Sequence, residues 1–166
     1  MPNNIVRKGR KKDFPGFAGL LVSLATFEHL EPPTKGALTR IKSDIFGKKK
    51  KLNLLLAFSN DSKKPVGYAL YFFTYSSFLA RQTLYLEDLF VKEEFRHMGI
   101  GKELFLSCLK EAKKGKCGRM EWSVLTWNKN AIDFYEKIGA RRLDEWHYYR
   151  LDSYAIDEGF NRLSHR

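Results

Sequence analysis

Two adjacent acids, Glu87 and Asp88, interrupt the segment YLEDLFV, which otherwise has the composition of a buried strand. Acids are depleted in strands, and burying an unpaired carboxylate costs free energy, so the pair requires a reason. A carboxylate at a strand end can accept a proton or bind a cation. On a regular strand the two side chains point to opposite faces, so both reach one site only if a bulge re-aims one. The alternative is that either acid pairs with a nearby Arg or Lys.

The loop EFRHMGIGK follows these acids and carries Arg96, Gly99 and Gly101 in the order R-x-x-G-x-G. Glycines let the backbone approach a ligand, and the N–H groups at the start of a helix favour an anion. The pattern therefore predicts a pyrophosphate-binding loop, although glycines are common at helix starts and the loop alone leaves a structural role open. It matches neither the P-loop nor the G-x-G-x-x-G pattern of dinucleotide folds.

Hydrophobic periodicity predicts the α/β framework that positions these residues. The predicted strands are 4–7, 52–59, 65–75, 82–91, 119–126 and 141–151, the last being one strand or two short ones. The predicted helices are one from Asp13 to before Pro32, then 34–46, 99–114 and 128–138. The helix 99–114 would join two parallel strands by a right-handed crossover, and ligands of open α/β sheets bind at the carboxyl ends of such strands.

Length and composition limit the classes of protein to which the chain can belong. A chain of 166 residues with 43% hydrophobic residues predicts a single compact domain over 1–166. No stretch approaches the run of about 20 apolar residues that spans a bilayer. The basic N-terminal stretch MPNNIVRKGRKK has no apolar segment after it, so we expect no signal peptide, no membrane partner and a cytoplasmic protein.

The cysteines and histidines do not have metal-ligand spacing. Cys108 and Cys117 lack a second pair, so we expect them to be packing residues with reduced thiols. The histidines form no spaced ligand pair, and we therefore predict no metal; they are His29, His97, His147 and His165.

A formal net charge of +11 is concentrated in three basic runs, at 7–12, 48–51 and 113–119. Such charge can attract nucleic acid or a phosphorylated cofactor. The runs lack interleaved aromatic residues and match no nucleic-acid-binding module, so we interpret them as solvated loops and helix ends and expect no nucleic-acid partner.

Two separated motifs resemble the acetyl-CoA-binding core of the Gcn5-related N-acetyltransferases (GNAT). YLEDLFVKEEFRHMGIGKELF matches the pyrophosphate motif of that family, and WSVLTWNKNAIDFYEKIGA matches its N-x-x-A-x-x-F-Y-x-x-x-G-A motif. FFTYSSFLARQTLYLEDLFV and DEWHYYRL resemble the spermidine/spermine (diamine) and thialysine N-acetyltransferases. The resemblance implies a mixed, mostly antiparallel sheet of six to seven strands with about four helices. It also implies a parallel strand pair that splays at the acetyl-CoA site.

The resemblance assigns the chemistry to three side chains. An alkyl ammonium has a pKa of about 10.4, so a base must remove its proton before the amine attacks acetyl-CoA directly. Glu87 has this role in the resembled subgroup, acting directly or through water, and Asp88 helps to bind the amine. Tyr135 corresponds to the general acid that protonates the departing sulfur of CoA. The alternative for Tyr135 is a core tyrosine that packs with Phe134.

The resemblance also implies binding residues and a homodimer. Backbone N–H groups of the Leu89–Val91 segment would donate hydrogen bonds to the thioester oxygen. Glu28 lies in a segment that, in the resembled subgroup, supplies an acid to the amine pocket, often across the dimer interface. Asn128 could contact the pantetheine arm or simply cap a helix. The implied cofactor-binding residues are Leu89, Phe90, Val91, Arg96, His97, Met98, Gly99, Ile100, Gly101, Lys102, Asn128 and Tyr135. The implied substrate-binding residues are Phe27, Glu28, Glu87, Asp88 and Tyr149.

Some positions depart from the polyamine-acetylating members. Ser77 and Leu79 replace an acidic and an aromatic residue, and His147 and Tyr149 replace an acid and a tryptophan. Fewer negative charges favour a shorter diamine or a lysine-like amino acid over spermine. The sequence thus predicts an acetyl-CoA-dependent acetyltransferase of a small primary amine. The alternatives are a protein or peptide N-acetyltransferase and a non-catalytic basic nucleic-acid-binding protein with the same fold.

Overall fold

The computed structural model describes residues 5–59 and 62–164. Within these ranges the chain forms two compact units, one that ends at Ser123 and one that begins at Val124, and each is described by itself. The first unit contains a five-stranded sheet and three helices, and the second contains two helices. Organisation as a single domain over 1–166 stays a prediction.

The sheet has its strands in chain order, β1 (Ile5–Lys8), β2 (Asn53–Phe58), β3 (Gly67–Ser76), β4 (Arg81–Val91) and β5 (Arg119–Trp122). β1 to β4 pair antiparallel, whereas β4 and β5 pair parallel. This mixed, mostly antiparallel sheet with one parallel pair confirms the predicted fold class. Asn4, Asn60 and Asp61, which the sequence assigned to the first strand and to a polar turn, lie outside the described residues.

The helices are α1 (Phe14–Phe27), α2 (Lys35–Phe46), α3 (Ile100–Lys114), α4 (Lys129–Lys137) and α5 (Ser153–Ser164). The first four confirm the predicted helices to within a few residues. α5 was not predicted, although the sequence carries two signals for it. Asp152 caps the helix by accepting a hydrogen bond from the Ala155 N–H at 2.8 Å, and apolar residues recur at helical spacing after it.

The strand predicted at 141–151 is wrong, and the described residues contain five strands rather than six or seven. Residues 141–151 are irregular, and the aromatic side chains of Trp146, Tyr148 and Tyr149 within them are exposed. Aromatic residues are enriched in strands because they pack on a half-buried sheet, so their presence does not produce a strand where that surface is missing. β5 also ends at Trp122, before the predicted residue 126.

The two faces of the sheet carry separate parts of the core. On one face, the rings of Phe17 from α1 and Tyr68 from β3 pack edge to face at 5.0 Å, and both side chains are fully buried. On the other face, Tyr71 of β3 donates a hydrogen bond to Glu111 of α3 at 3.2 Å. Cys108 of α3 is fully buried, which confirms it as a packing residue. The face of the sheet that carries Tyr68 packs against α1 and is called the α1 face. The face that carries Tyr71 packs against α3 and is called the α3 face.

Candidate functional site

A β-bulge lies at Glu87, where the sequence required one. In the antiparallel ladder with β3, Leu86 pairs with Tyr71 and Asp88 pairs with Leu70, so Glu87 is the extra residue. Such an inserted residue is left without a partner in the ladder and bends the strand locally. The structure thus confirms the bulge that would allow both acids to serve one site.

The bulge changes the face to which β4 presents its side chains. Leu86 is opposite Tyr71, which points to the α3 face, whereas Phe90 is opposite Tyr68, which points to the α1 face. On a regular strand, residues two apart share a face, so Leu86, Asp88 and Phe90 would all point the same way. Because Glu87 is inserted, Asp88 instead lies on the α1 face, where the Tyr68 hydroxyl donates a hydrogen bond to its Oδ2 at 3.2 Å.

The negative charges of two other carboxylates act on Asp88. The pKa of Asp88 is raised to about 7, first by burial and then by the negative charges of Glu87 and Glu28, while the hydrogen bond from Tyr68 opposes the rise. Burial also raises the pKa of Glu28. Glu87 is exposed and Asp88 is half-buried. A partly desolvated group of acids of this kind favours a cation over water and matches a proton acceptor near neutral pH.

Glu28 belongs to this group although it comes from another element. It is the residue after α1, and its backbone N–H donates to the Leu24 carbonyl at 2.9 Å. The preceding Phe27 packs against Phe90 of β4 with 6.4 Å between ring centroids, which brings the end of α1 to the carboxyl end of β4. The structure therefore brings Glu28, Glu87 and Asp88 together within one chain.

The ladder between β4 and β5 stops before the acids. It pairs Thr83 with Arg119 and runs to Leu86 and Trp122, so the segment from Glu87 to Val91 extends beyond it. Backbone N–H groups past the end of a ladder can bind a ligand instead of a neighbouring strand. The pairing therefore ends before the acids, and divergence of the two strands at a cofactor site stays a prediction. Contact of the Leu89–Val91 backbone with a thioester oxygen stays a prediction.

The glycine loop leads into α3 through two residues with left-handed backbone. Gly99 has φ of +79° and precedes α3, while His97 has φ of +63°, a conformation that is uncommon for residues other than glycine. A Cβ built on Gly99 would meet nothing within 4 Å, and one on Gly101 would meet only Val91 Cγ2, at 3.9 Å. The backbone at Gly99 and Gly101 is therefore open to approach by a ligand. The first N–H groups of an α-helix lack partners within the helix and can bind an anion, and binding of pyrophosphate here stays a prediction.

Other loop residues have distinct surroundings. Ile100 is buried and anchors the start of α3, whereas Met98 and Lys102 are exposed. Arg96 donates from Nε to the Val91 carbonyl at 3.1 Å, and its guanidinium lies 4.7 Å from the ring centroid of Phe27. Arg96 thus ties the loop to β4 and to the end of α1, and its contact with a cofactor stays a prediction.

Replacing Gly101 by alanine tests whether a ligand approaches this backbone. The added methyl group would make only an ordinary contact inside the protein, so we expect the melting temperature to stay the same or rise slightly. The methyl would separate the backbone from a bound pyrophosphate, and we expect the Kd for acetyl-CoA to rise roughly tenfold. Isothermal titration calorimetry measures this change.

Gly19→Ala is the matched control for that substitution. Gly19 lies inside α1, and a Cβ there would also meet nothing within 4 Å. We expect Gly19→Ala to leave the Kd for acetyl-CoA unchanged. Equal affinity of wild type and Gly101→Ala would remove the loop from cofactor binding.

The second unit carries Asn128 and Tyr135. Asn128 caps α4, since its side chain accepts a hydrogen bond from the Ala131 N–H at 3.3 Å, which confirms the capping interpretation. Gly139, with φ of +86°, follows the helix as predicted, and the Ala140 N–H bonds back to the Tyr135 carbonyl at 3.0 Å. The roles of Asn128 and Tyr135 toward acetyl-CoA stay predictions.

Tyr135 is half-buried on α4, and its ring packs edge to face against Phe134 with 5.5 Å between centroids. Tyr149, predicted to bind substrate, lies in the irregular segment and is 87% exposed, with its ring 6.4 Å from that of His147. A side chain this exposed is not held in one position by packing. The role of Tyr149 in substrate binding stays a prediction.

Tyr68 is a site residue that the sequence did not reveal. It lies twenty residues before Asp88, within an apolar strand that gives no sign of a polar role. Only the pairing of β3 with β4 makes it a diagonal neighbour of Asp88 on the α1 face. The hydroxyl of this fully buried ring then reaches the carboxylate.

The basic residues that carry the net charge have different surroundings in the structure. Lys48, Lys49 and Lys50 are exposed, as expected of a solvated loop. Arg7 and Lys8 instead lie on β1, where Arg7 pairs with Asp13 at 2.7 Å and Lys8 with Glu111 at 3.3 Å, so the prediction of a solvated loop is wrong for this part of the run at 7–12. Over the described ranges, no group of three or more His, Cys, Asp or Glu side chains is placed to hold a metal ion, and His165 lies outside those ranges. None of the helices in the same ranges is long and apolar enough to cross a bilayer.

The sequence matches known proteins over most of its length. The profile of the acetyltransferase (GNAT) family matches residues 21–140. A thialysine N-epsilon-acetyltransferase of Sus scrofa is 32% identical over 167 residues, which cover 95% of this chain and 98% of the pig protein. An L-ornithine N5-acetyltransferase of Arabidopsis thaliana is 47% identical over 90 residues, which cover 54% of this chain but only 40% of the plant protein.

The fold also matches solved structures. An integron cassette protein from V. cholerae superposes with a TM-score of 0.80 at 23% identity, covering 95% of this chain and 97% of that one. A structure described as a probable acetyltransferase superposes with a TM-score of 0.78 at 21% identity, covering 89% of this chain and 97% of that one. At these identities the likeness establishes the fold.

Proposed function

Because the chain belongs to the acetyltransferase (GNAT) family, we propose that it transfers the acetyl group of acetyl-CoA to a primary amine of a small diamine, polyamine or lysine-like substrate. The observation that carries the proposal is the bulge at Glu87, which groups Glu87, Asp88 and Glu28 at the carboxyl end of β4. A cluster of three acids is suited to a cationic substrate, and the adjacent open helix start is suited to an anionic one.

The proposed reaction is direct attack by the amine nitrogen on the thioester that acetyl-CoA supplies. Glu87, exposed at the bulge, removes the proton of the ammonium, directly or through water, while Asp88 binds the amine. The C–N bond forms first and leaves a negative charge on the former carbonyl oxygen. As that charge collapses, the C–S bond breaks, Tyr135 donates its phenolic proton to the departing sulfur, and the second proton of the nitrogen is released to solvent, from which the tyrosine is reprotonated. The backbone of Leu89–Val91, beyond the end of the β5 ladder, stabilises the negative charge on the oxygen.

The carboxylates favour a short substrate. The charges of Glu28 and Glu87 both act on Asp88, which supports a single cation-binding site rather than a row of sites along a polyamine. Two of the relatives are named as acetyltransferases of thialysine and L-ornithine, which are amino acids with one side-chain amine each. We therefore propose a lysine-like amino acid or short diamine as the preferred substrate.

The proposal includes a cytoplasmic homodimer with a complete acid cluster in each chain. In the resembled subgroup the acid at the position of Glu28 often crosses the dimer interface. Here Glu28 contributes to the raised pKa of Asp88 in its own chain, which supports a pocket whose three acids come from a single chain.

An amine screen with detection of the released thiol tests the proposal. We expect acetyl-CoA to raise the melting temperature, and free CoA to appear with thialysine, ornithine or short diamines faster than with spermine. Turnover with lysine-containing peptides but not with free amines would favour a peptide acetyltransferase. Retention of DNA at physiological salt without acetyl-CoA binding would favour the non-catalytic alternative.

A further inference from the structure

Asp88 accepts a hydrogen bond from Tyr68, and this contact has no role in the proposed reaction. Tyr68 is completely buried, and its ring is fixed on one side by Phe17 at 5.0 Å and on another by Phe90 at 6.3 Å between centroids. The hydroxyl therefore has one position, and from it donates to Asp88 Oδ2 at 3.2 Å. A buried donor aimed at a carboxylate holds that carboxylate in one orientation and favours its charged form.

We infer that Tyr68 is a positioning residue of the amine site, which orients the Asp88 carboxylate and keeps it charged for binding of the substrate ammonium. This inference rests on the proposed function, in which Asp88 binds the amine. Two features of the fold make the contact possible. The bulge at Glu87 turns Asp88 to the α1 face, and the register of β3 and β4 places Tyr68 diagonally across from it.

The other acids around Asp88 favour its protonated, uncharged form. Glu87 precedes it on β4, Glu28 approaches from the end of α1, and both are acids that raise the pKa of Asp88, as burial does. Arg96 comes from the loop after β4, and its guanidinium group lies over the rings of Phe27 and Phe90 and donates to the Val91 carbonyl. Among the causes of the shifted pKa of Asp88, the Tyr68 hydrogen bond alone lowers it.

Tyr68→Phe tests the inference through the pH dependence of the full-length enzyme. Without the hydroxyl the pKa of Asp88 rises further, so less of it is charged at neutral pH. We expect the KM for the amine at pH 7 to rise roughly three- to tenfold, and to return toward the wild-type value at pH 9. The KM for acetyl-CoA should stay unchanged. Expressing each value relative to wild type at the same pH removes the effect of the titrating substrate amine.

Tyr71→Phe is the matched control. Tyr71 lies on the same strand, is 1% exposed and donates to the carboxylate of Glu111 over the same 3.2 Å, but on the opposite face of the sheet. A merely structural loss of a buried hydroxyl would affect both variants alike. We expect Tyr71→Phe to show the wild-type ratio of amine KM values at pH 7 and pH 9. Superimposable pH profiles for the two variants would overturn the inference.

A second substitution covers the case in which Tyr68→Phe does not fold. Incorporation of 3-fluorotyrosine at position 68 keeps the ring and makes the hydroxyl a stronger donor, so the amine KM should stay low to a more acidic pH than in wild type. An unchanged or opposite shift contradicts the inference. Absence of turnover with every amine in the wild-type enzyme would instead contradict the proposed function itself.

Discussion

Replacement of Tyr135 by phenylalanine is expected to lower kcat by about a hundredfold or more while the affinity for acetyl-CoA is largely kept. The tyrosine is the proposed donor of the proton that neutralises the departing sulfur, and a positioned general acid contributes on this scale. Phenylalanine preserves the edge-to-face contact with Phe134 on α4, so the fold of the second unit should survive the change. Stopped-time thiol release and calorimetry with acetyl-CoA measure the two quantities.

Tyr154→Phe serves as the control for that variant. Tyr154 lies on α5 in the same unit and is 73% exposed, and removal of its hydroxyl should leave kcat unchanged. If Tyr135→Phe keeps the wild-type kcat, the sulfur is protonated by another group. A rise in Kd with an unchanged kcat would make Tyr135 a cofactor-binding residue rather than an acid.

Replacement of Asp88 by asparagine is expected to weaken catalysis and to stabilise the fold. Loss of the carboxylate that binds the ammonium should lower kcat/KM for the amine at least about thirtyfold, which corresponds to about 2 kcal/mol. The amide keeps an oxygen that can accept the Tyr68 hydrogen bond, so the local structure is retained. The KM for acetyl-CoA should change little.

The stabilising effect follows from the pKa of Asp88. Its value of about 7 in the folded chain exceeds the ordinary value near 3.9, so folding favours the protonated form. The free energy that the folded chain loses by keeping Asp88 charged is absent below about pH 4 and reaches its full value above about pH 7. We therefore expect Asp88→Asn to raise the free energy of unfolding by about 1 to 2 kcal/mol at pH 8, because solvent at this half-buried group reduces the full effect.

Asp13→Asn is a control with the opposite sign. Two hydrogen bonds from Arg7 hold the Asp13 carboxylate, at 2.7 and 2.9 Å, and the first of the causes that lower its pKa is this side-chain contact. Its charge stabilises the fold above its ordinary pKa, and this stabilisation is lost as the pH falls through the lowered value. Asp13→Asn should therefore destabilise the protein at pH 8. An equal loss of stability in both variants would contradict the account of Asp88.

The sequence predicted the elements whose signals are local. The glycine loop, the α3 stripe that includes Ile100 and Cys108, and the cap at Asn128 each depend on neighbouring residues, and each lies where predicted. The prediction of a strand at 141–151 failed because the aromatic composition of the segment is typical of a strand, whereas strand formation also depends on a partner elsewhere in the chain.

The acid pair shows the same limit within the site. Two adjacent acids required a bulge, but its place at Glu87 is fixed by the register between β3 and β4, which is a property of two strands. Tyr68 escaped prediction for the same reason, since its hydroxyl meets Asp88 only through that register. Glu28 was predicted through resemblance, and the packing of Phe27 on Phe90 explains how it reaches the acids.

The stoichiometry of acetyl transfer tests the central claim most directly. The purified protein is incubated with acetyl-CoA and either thialysine, ornithine or a short diamine, and released CoA and acetylated amine are quantified together by mass spectrometry. We predict one N-acetylated amine for each CoA released, and a strongly reduced rate for both products in Asp88→Asn. Release of CoA without an acetylated amine, or an equal rate in Asp88→Asn, would contradict amine acetylation at this site.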